Sequence, residues 1–352
     1  MEADSLQFLK DLMAAPSPSG FEQPAQKVVR ERMQQFADEV RTDVHGNVIG
    51  VKNPDAAFRV MLAGHCDEIG LMITHVDEQG FCYFASIGGY DPPVLLGQRV
   101  TVHGPKGPVP GVIGRKPIHL MDDEDRKKPV KVEDLWIDIG ARKRKDALSV
   151  VQVGSHVTLI APFLQLRHGL AVSRGFDDKV GAFAVAEALR LVSHKKLDIG
   201  VYAVSTVQEE IGLRGATTSA FGIDPKVGIA VDVGFASDCP GIDKKKVGEV
   251  MLGKGPILHR GANINPVLED LIERTARKKR IPFQMQAEPR ATGTDANVIQ
   301  VNRAGVATAL VSVPNRYMHT PVEMISLADL ENTAKLIAAV LEEIKPDSDF
   351  TP

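Results

Sequence analysis

The stretch GFDDKVGAFAVAEALRLVSHKKLDIGVYAVSTVQEE, Gly175–Glu210, decides the fold class. Its first half places Val180, Phe183, Ala184, Leu189 and Val192 at helical spacing, so Asp177–His194 reads as a helix. Its second half, Gly200–Val207, is a nearly continuous apolar run of strand length, as a strand covered on both faces requires. Long helices alternating with buried strands build an α/β sheet. The alternation continues downstream: Val227–Val233 and Ala307–Val313 read as buried strands and Pro266–Lys279 as a helix with a basic end. Leu327–Ile344 reads as a closing helix whose Asp329, Glu331 and Lys335 face water. Upstream, two short amphipathic helices flank the breaker Pro16-Ser17-Pro18-Ser19-Gly20. A hairpin turns at His45-Gly46-Asn47, and Phe58–Ala63 is a further strand.

Between that strand and Gly175 the texture changes. Short β-rich runs (Phe81–Ala85, Arg99–Val102, Val109–Ile113, Leu135–Ile139 and Val157–Ile160) alternate with turns such as Gly88-Gly89, Asp91-Pro92-Pro93 and Gly104-Pro105-Lys106-Gly107. Such spacing suggests a small barrel or sandwich inserted into the other domain. The expected division is a discontinuous catalytic domain, 1–68 and 165–352, around an inserted β-rich domain, 69–164. The charged run Asp122–Lys128 reads as a solvated loop.

A length of 352 residues suits about two domains. With 42 Lys and Arg against 45 Asp and Glu, interspersed along the chain, an electrostatic nucleic-acid binder is disfavoured. Aromatic residues make up only 5%, with Trp136 the one tryptophan, which leaves little for stacking on single strands or sugars. Cys66, Cys82 and Cys239 show no CxxC spacing, so neither a disulfide framework nor a thiolate zinc site is indicated. No signal peptide and no run of about eighteen apolar residues is found, which favours a cytoplasmic chain away from membranes.

Chemistry gathers at the carboxyl ends of the apolar strands, where ligands bind in such sheets. Phe58–Ala63 leads into Gly64-His65-Cys66-Asp67-Glu68, and Gly200–Val207 into Gln208-Glu209-Glu210. Val227–Val233 carries Asp232, and Ala307–Val313 leads to Tyr317-Met318-His319-Thr320. Asp177-Asp178 opens the helix. The remaining histidines are expected in turns, barrel strands or helix ends. Two imidazoles and three carboxylates without thiolates suit two borderline-hard divalent ions such as zinc, cobalt or manganese, with one carboxylate bridging. In His65-Cys66-Asp67 the outer side chains share one side of an extended chain, so Asp67 could orient the imidazole. One of Glu209 and Glu210 would ligate while the other handles the proton of an activated water. Neither that choice nor the one between Asp177 and Asp178 follows from these residues alone. The implied reaction is amide hydrolysis.

The motifs Gly64–Gly70, Phe176-Asp177-Asp178-Lys179, Thr206–Gly215, Val231-Asp232 and Met318-His319-Thr320 closely resemble those of the co-catalytic metallo-aminopeptidases of family 42 in the MH clan. This is the group of tetrahedral aminopeptidases and glutamyl-aminopeptidase-type enzymes. The resemblance extends to Ile87-Gly88-Gly89, Leu96–Val100 and Gly293-Thr294-Asp295-Ala296. It implies a mixed-sheet zinc-peptidase catalytic domain with an inserted β-barrel dimerisation domain. One ion would be held by His65 and Asp232, the other by Glu210 and His319, and Asp177 would bridge them. Glu209 would be the general base and acid, with Asp67 behind His65. The resemblance also implies dimers assembling into a hollow tetrahedral dodecamer that admits short peptides. The loop with Arg290, Gly293, Thr294 and Asp295 would line the specificity pocket. Here the chain departs from the glycine run common in relatives: Arg290 could favour acidic side chains, against the plainer reading of a solvated arginine. Cys66 stands where Met is common and reads as packing.

The leading reading is therefore an aminopeptidase acting on short peptides. A related deacylase or carboxypeptidase on the same scaffold would accept N-blocked substrates, which separates it. An endoglucanase, described among relatives, would want aromatic platforms that this chain lacks. A non-catalytic assembly subunit would not need all of the proposed ligands and the base.

Overall fold

Apolar continuity and close backbone approach place the strands that carry the site. A computed structural model describes all 352 residues. Its strands are β1 (Glu39–Thr42), β2 (Val48–Lys52), β3 (Arg59–His65), β4 (Gly70–Val76), β5 (Cys82–Ile87), β6 (Arg99–Gly104), β7 (Gly107–Gly114), β8 (Trp136–Asp138) and β9 (His156–Leu159). The chain continues with β10 (Leu164–Gln165), β11 (Leu170–Ser173), β12 (Gly200–Thr206), β13 (Val227–Phe235), β14 (Ile257–Gly261), β15 (Gln284–Glu288), β16 (Ala307–Arg316) and β17 (Glu323–Ser326).

One sheet runs β1-β2-β12-β3-β13-β16-β17-β11-β10, with β14 and β15 beside β16. Its centre, β12, β3, β13 and β16, is parallel, while β2 and β17 pair antiparallel, so the sheet is mixed. The strands β4-β5-β8-β7-β6-β9 close into a separate barrel. Each unit buries its own apolar cluster, 59 residues around the sheet and 15 inside the barrel. The architecture is the expected α/β fold: a mixed sheet plus a small β-barrel. Barrel strands, alternately buried and exposed, carry a period of two that the sheet's central strands lack.

Helix Phe176–Val192 is buried along nearly its whole length and packs on β3, β12 and β13. Its approach to β3 depends on two glycines. A side chain at Gly64 would sit 2.2 Å from the Gly181 backbone, so helix and strand touch main chain to main chain. That contact sets Asp177 beside His65. Gly175 turns into the helix at φ +66°, a conformation glycine adopts without steric cost.

Several local readings need correction. Asp329 does not face water: it is 1% exposed and accepts from Gly253 N at 2.6 Å and Gly255 N at 2.7 Å, holding a neighbouring loop. Glu331 is half-buried and accepts from the N-terminal ammonium at 2.6 Å, so Lys335 is the exposed member of the three. The charged run at 122–128 stays exposed, though Asp123–Lys127 coils into a helical turn capped by Asp122. Helix Arg214–Ile223 and strands β14 and β15 are absent from the sequence reading. β15 has a burial pattern without a fully buried residue, which leaves no apolar run to read. No helix is long and apolar enough to cross a membrane.

Candidate active site

The parallel strands deliver their chemistry to one end of the sheet. His65 ends β3, Glu209 and Glu210 follow β12, Asp232 lies near the end of β13, and His319 follows β16. Asp177 enters from the start of helix Phe176–Val192. The side chains converge as two triads, His65 with Glu209 and Asp232, and Asp177 with Glu210 and His319. Within each triad the potential ligand atoms lie within 4.8 Å of one another.

Asp177 joins the triads. Its Oδ1 is 3.3 Å from His65 Nε2 and its Oδ2 is 3.2 Å from His319 Nε2. Glu209 Oε2 stands 3.7 Å from His65 Nε2, and Glu210 Oε2 stands 3.6 Å from His319 Nε2. Asp178 turns away, accepting from His65 N at 3.2 Å and Gly181 N at 3.0 Å. The two aspartates thus divide into one facing the cluster and one closing the helix start.

Both imidazoles are oriented through their other nitrogen. His65 Nδ1 lies 3.0 Å from the Asp67 carbonyl oxygen, and His319 Nδ1 lies 2.9 Å from the Gly89 carbonyl oxygen, which the barrel segment supplies. Carbonyls only accept, so each Nδ1 donates its hydrogen there and each Nε2 is aimed at the cluster, a donor to Asp177 when the ring is protonated and a ligand atom once it is not.

The Asp67 carboxylate, whose Oδ1 lies 3.4 Å from the same His65 Nδ1, reaches the glutamates as well. Its oxygens accept from Glu209 N at 3.1 Å, Glu210 N at 3.2 Å and Ser19 Oγ at 2.7 Å. It therefore fixes the backbone of both glutamates. Glu323 plays a similar part for the second triad, accepting from Asp177 N and His319 N, each at 3.0 Å. Neither Ser19 nor Glu323 announces this in sequence; the Ser-rich breaker and the acid four residues after His319 are the only signals. Around these contacts Gln208, Tyr317 and His319 hold φ between 56° and 61°, unusual for residues with a side chain.

Electrostatically the cluster lacks lysine and arginine. None of Asp177, Glu209, Glu210 and Asp232 pairs with lysine or arginine; their only cationic partners are the two histidines. Burial, reinforced by neighbouring carboxylates, pushes Glu209 up to about 9 and Asp232 to about 8. Burial and the Asp177 charge likewise raise Glu210 well above the carboxylate range. Burial opposes ionisation of Asp177 too, yet hydrogen bonds from His319 and His65 outweigh it and hold that group low. Glu210 Oε1 is buried without any partner. A set of acceptors with raised pKa values, two aimed imidazoles and an orphaned carboxylate oxygen fits divalent cations between them.

These groups open onto a cavity of about 470 Å3 whose lining includes Gly293 and Thr294. Asp295 is buried, accepting from Thr206 Oγ1 at 2.6 Å, and burial raises it to about 6. Arg290 is exposed and is not among the residues that line this cavity. Cys66 packs in the sheet's core, where burial pushes its thiol well up, and it belongs to neither triad. His259 also escapes the sequence reading: it sits on β14, not in a turn, barrel strand or helix end.

The family model described as M42 glutamyl aminopeptidase matches residues 46–336. The chain belongs to the M42 family. It is a metallopeptidase-family aminopeptidase, and its relatives agree along the full length. It is 41% identical to the lysyl aminopeptidase of Pyrococcus furiosus, over 98% of this chain and 99% of that one. A TET aminopeptidase from a marine sediment archaeon of the Thaumarchaeota superposes with a TM-score of 0.93 at 36% identity, covering 97% of each chain. The Pyrococcus horikoshii TET1 peptidase, which can assemble into a tetrahedron or a large octahedral shell, gives 0.87 at 33% identity, covering 97% of this M42 chain and all of its own.

Proposed function

We propose that this M42 chain removes the N-terminal residue of short peptides at a dinuclear centre. His65 and Asp232 would hold one ion, Glu210 and His319 the other, with Asp177 shared between them; zinc or cobalt suits the donors best, with manganese also compatible. The observation that carries this reading is Asp177, whose two oxygens face one imidazole each at 3.3 and 3.2 Å. Bound there, two divalent ions would supply Lewis acidity that polarises the scissile carbonyl and acidifies water.

The chain's own groups do the rest. Glu209 takes a proton from water and returns it to the leaving amine nitrogen. Bound ions would place positive charge among the carboxylates, countering the burial and repulsion that hold Glu209 at about 9. Asp67 keeps His65 and the Glu209-Glu210 backbone in register. The loop around Gly293 and Thr294 bounds the peptide's path.

We assign residues 1–68 and 165–352 to the catalytic domain and 69–164 to an inserted dimerisation domain. Exposed Leu96, Val112, Ile118 and Leu120 support a contact through that segment, from which dimers could build a tetrahedral dodecamer. Light scattering tests this: a monomer at micromolar concentration removes the assembly reading.

The function is tested by release of p-nitroaniline from aminoacyl substrates. Activity should vanish on exhaustive chelation and return with zinc or cobalt at two ions per chain. Full activity in metal-free protein refutes the reading.

A further inference from the structure

Beside the catalytic cavity lies a second chamber of about 630 Å3, and Val233, Phe235, Thr292 and Thr294 line both. Val233 directly follows Asp232, so the chamber adjoins the triad of His65, Glu209 and Asp232. Its ionisable lining is His259, Glu288 and the run Lys244–Lys246.

His259 is 4% exposed, with Nε2 2.8 Å from Ser312 Oγ and Nδ1 3.2 Å from Glu288 Oε1. A carboxylate only accepts, so Nδ1 carries the hydrogen and Nε2 takes the Ser312 hydroxyl's hydrogen. The buried imidazole thereby pins Glu288 by one oxygen. The other, Oε2, has no partner within the protein, and the side chain retains 23% exposure on the chamber wall. Val247, Met285 and Leu310 supply apolar lining, which matches the methylene stem of a long cationic side chain.

The lysines would favour the opposite charge, and the geometry decides against them. All three are exposed, and Lys244 is bound to Glu249 at 2.7 Å. Flexible ammonium groups in water are screened, whereas a carboxylate held on a buried ring acts through a lower dielectric.

We infer that this chamber receives the side chain of the peptide's first residue and that Glu288, positioned by His259 and Ser312, selects a lysine or arginine there. The inference rests on the aminopeptidase reading: the residue with the free amine also carries the attacked carbonyl, so its Cα lies against the carboxylate cluster. Its side chain then enters the chamber that adjoins Asp232.

The test compares kcat/KM of the metal-loaded enzyme for the p-nitroanilides of lysine, arginine, leucine and glutamate, in the native chain, Glu288→Gln and Glu288→Lys. The native enzyme should prefer lysyl and arginyl substrates. Glu288→Gln should lower the lysyl-to-leucyl ratio about tenfold or more, as loss of a charged hydrogen-bond partner does. Glu288→Lys should turn the preference toward glutamate. A native preference for glutamate or leucine overturns the inference without any variant, and an unchanged ratio in a folded Glu288→Gln overturns it too. In both cases turnover persists and the aminopeptidase reading stands. Absence of release from all four substrates, with metal bound, instead removes that reading.

Discussion

Glu68→Gln probes the packing beneath the site. Glu68 is 2% exposed and its carboxylate meets Arg174, Lys179 Nζ at 3.0 Å and Ser17 N at 3.0 Å. The Lys179 side chain is fully buried, its ammonium also donating to Ala15 O at 2.7 Å. Burial alone would raise the Glu68 carboxyl; the Arg174 and Lys179 charges outweigh it and hold the group at about 2 against an ordinary 4.5. That depression is worth about 3 kcal/mol, present above the unfolded-state value and lost as the pH falls through the folded one. Removing the charge strands a buried cation, a perturbation that costs about 3–5 kcal/mol. The two routes agree. At about 2.1 cal/mol/K per residue, 352 residues give an unfolding entropy of about 0.7 kcal/mol/K. A loss near 4 kcal/mol then lowers the midpoint by about 5 °C.

Calorimetry and urea titration of both proteins at pH 7, 5 and 3.5 measure this. The gap between native and variant should narrow by about 1 kcal/mol from pH 5 to 3.5, because the native carboxylate begins to protonate in the unfolded chain first. The network also ties the His65–Asp67 turn to the start of the helix bearing Asp177, so metal content at limiting zinc should fall. A gap under about 1 kcal/mol at pH 7, or one that does not change with pH, refutes the reasoning.

Other perturbations read separate parts of the site. Glu209→Gln should keep fold and metal while kcat drops by about two or more orders of magnitude; an unchanged rate removes Glu209 from proton transfer. His319→Ala should bind one ion fewer by elemental analysis, and retention of both shows the ligand set to be wrong. Ser19→Ala deletes the 2.7 Å bond to Asp67 and should cost about 2 kcal/mol in urea unfolding. Ser19→Thr should recover part of that, and equal losses in both variants would point to packing rather than the hydroxyl. Asp329→Ala leaves the Gly253 and Gly255 amides without an acceptor, which should cost about 1–3 kcal/mol. A thermal midpoint within 1 °C of native, where about 2–4 °C is expected, would show that water replaces the carboxylate.

The strands that build the centre were legible because a parallel strand covered on both faces must be apolar along its length, as Gly200–Thr206 is. Most of the candidate site residues were legible because they stand at or just beyond the ends of such strands. Strand β15, half-buried throughout, left no such trace. Asp329 carries the pattern of a water-facing helix residue, yet two loop amides more than seventy residues away claim it. Arg290 stands in a loop of the expected pocket but points its exposure to solvent, whereas Glu288, two residues earlier, lines a chamber.

By itself the sequence determined the α/β class, a β-rich segment within it and an acid-and-histidine set at the strand ends, since periodicity and residue chemistry are local properties; closure of that segment into a barrel came from the tertiary structure. The tertiary structure decided which carboxylate faces which imidazole. Asp177 and Asp178, and Glu209 and Glu210, are chemically alike and adjacent; the packing of helix Phe176–Val192 on β3 separates the first pair, and the turn after β12, held by Asp67, separates the second. The tertiary structure alone also joined Ser19 to Asp67, Glu323 to two site backbones and His259 to Glu288, because a buried polar group is defined by partners that chain distance does not predict.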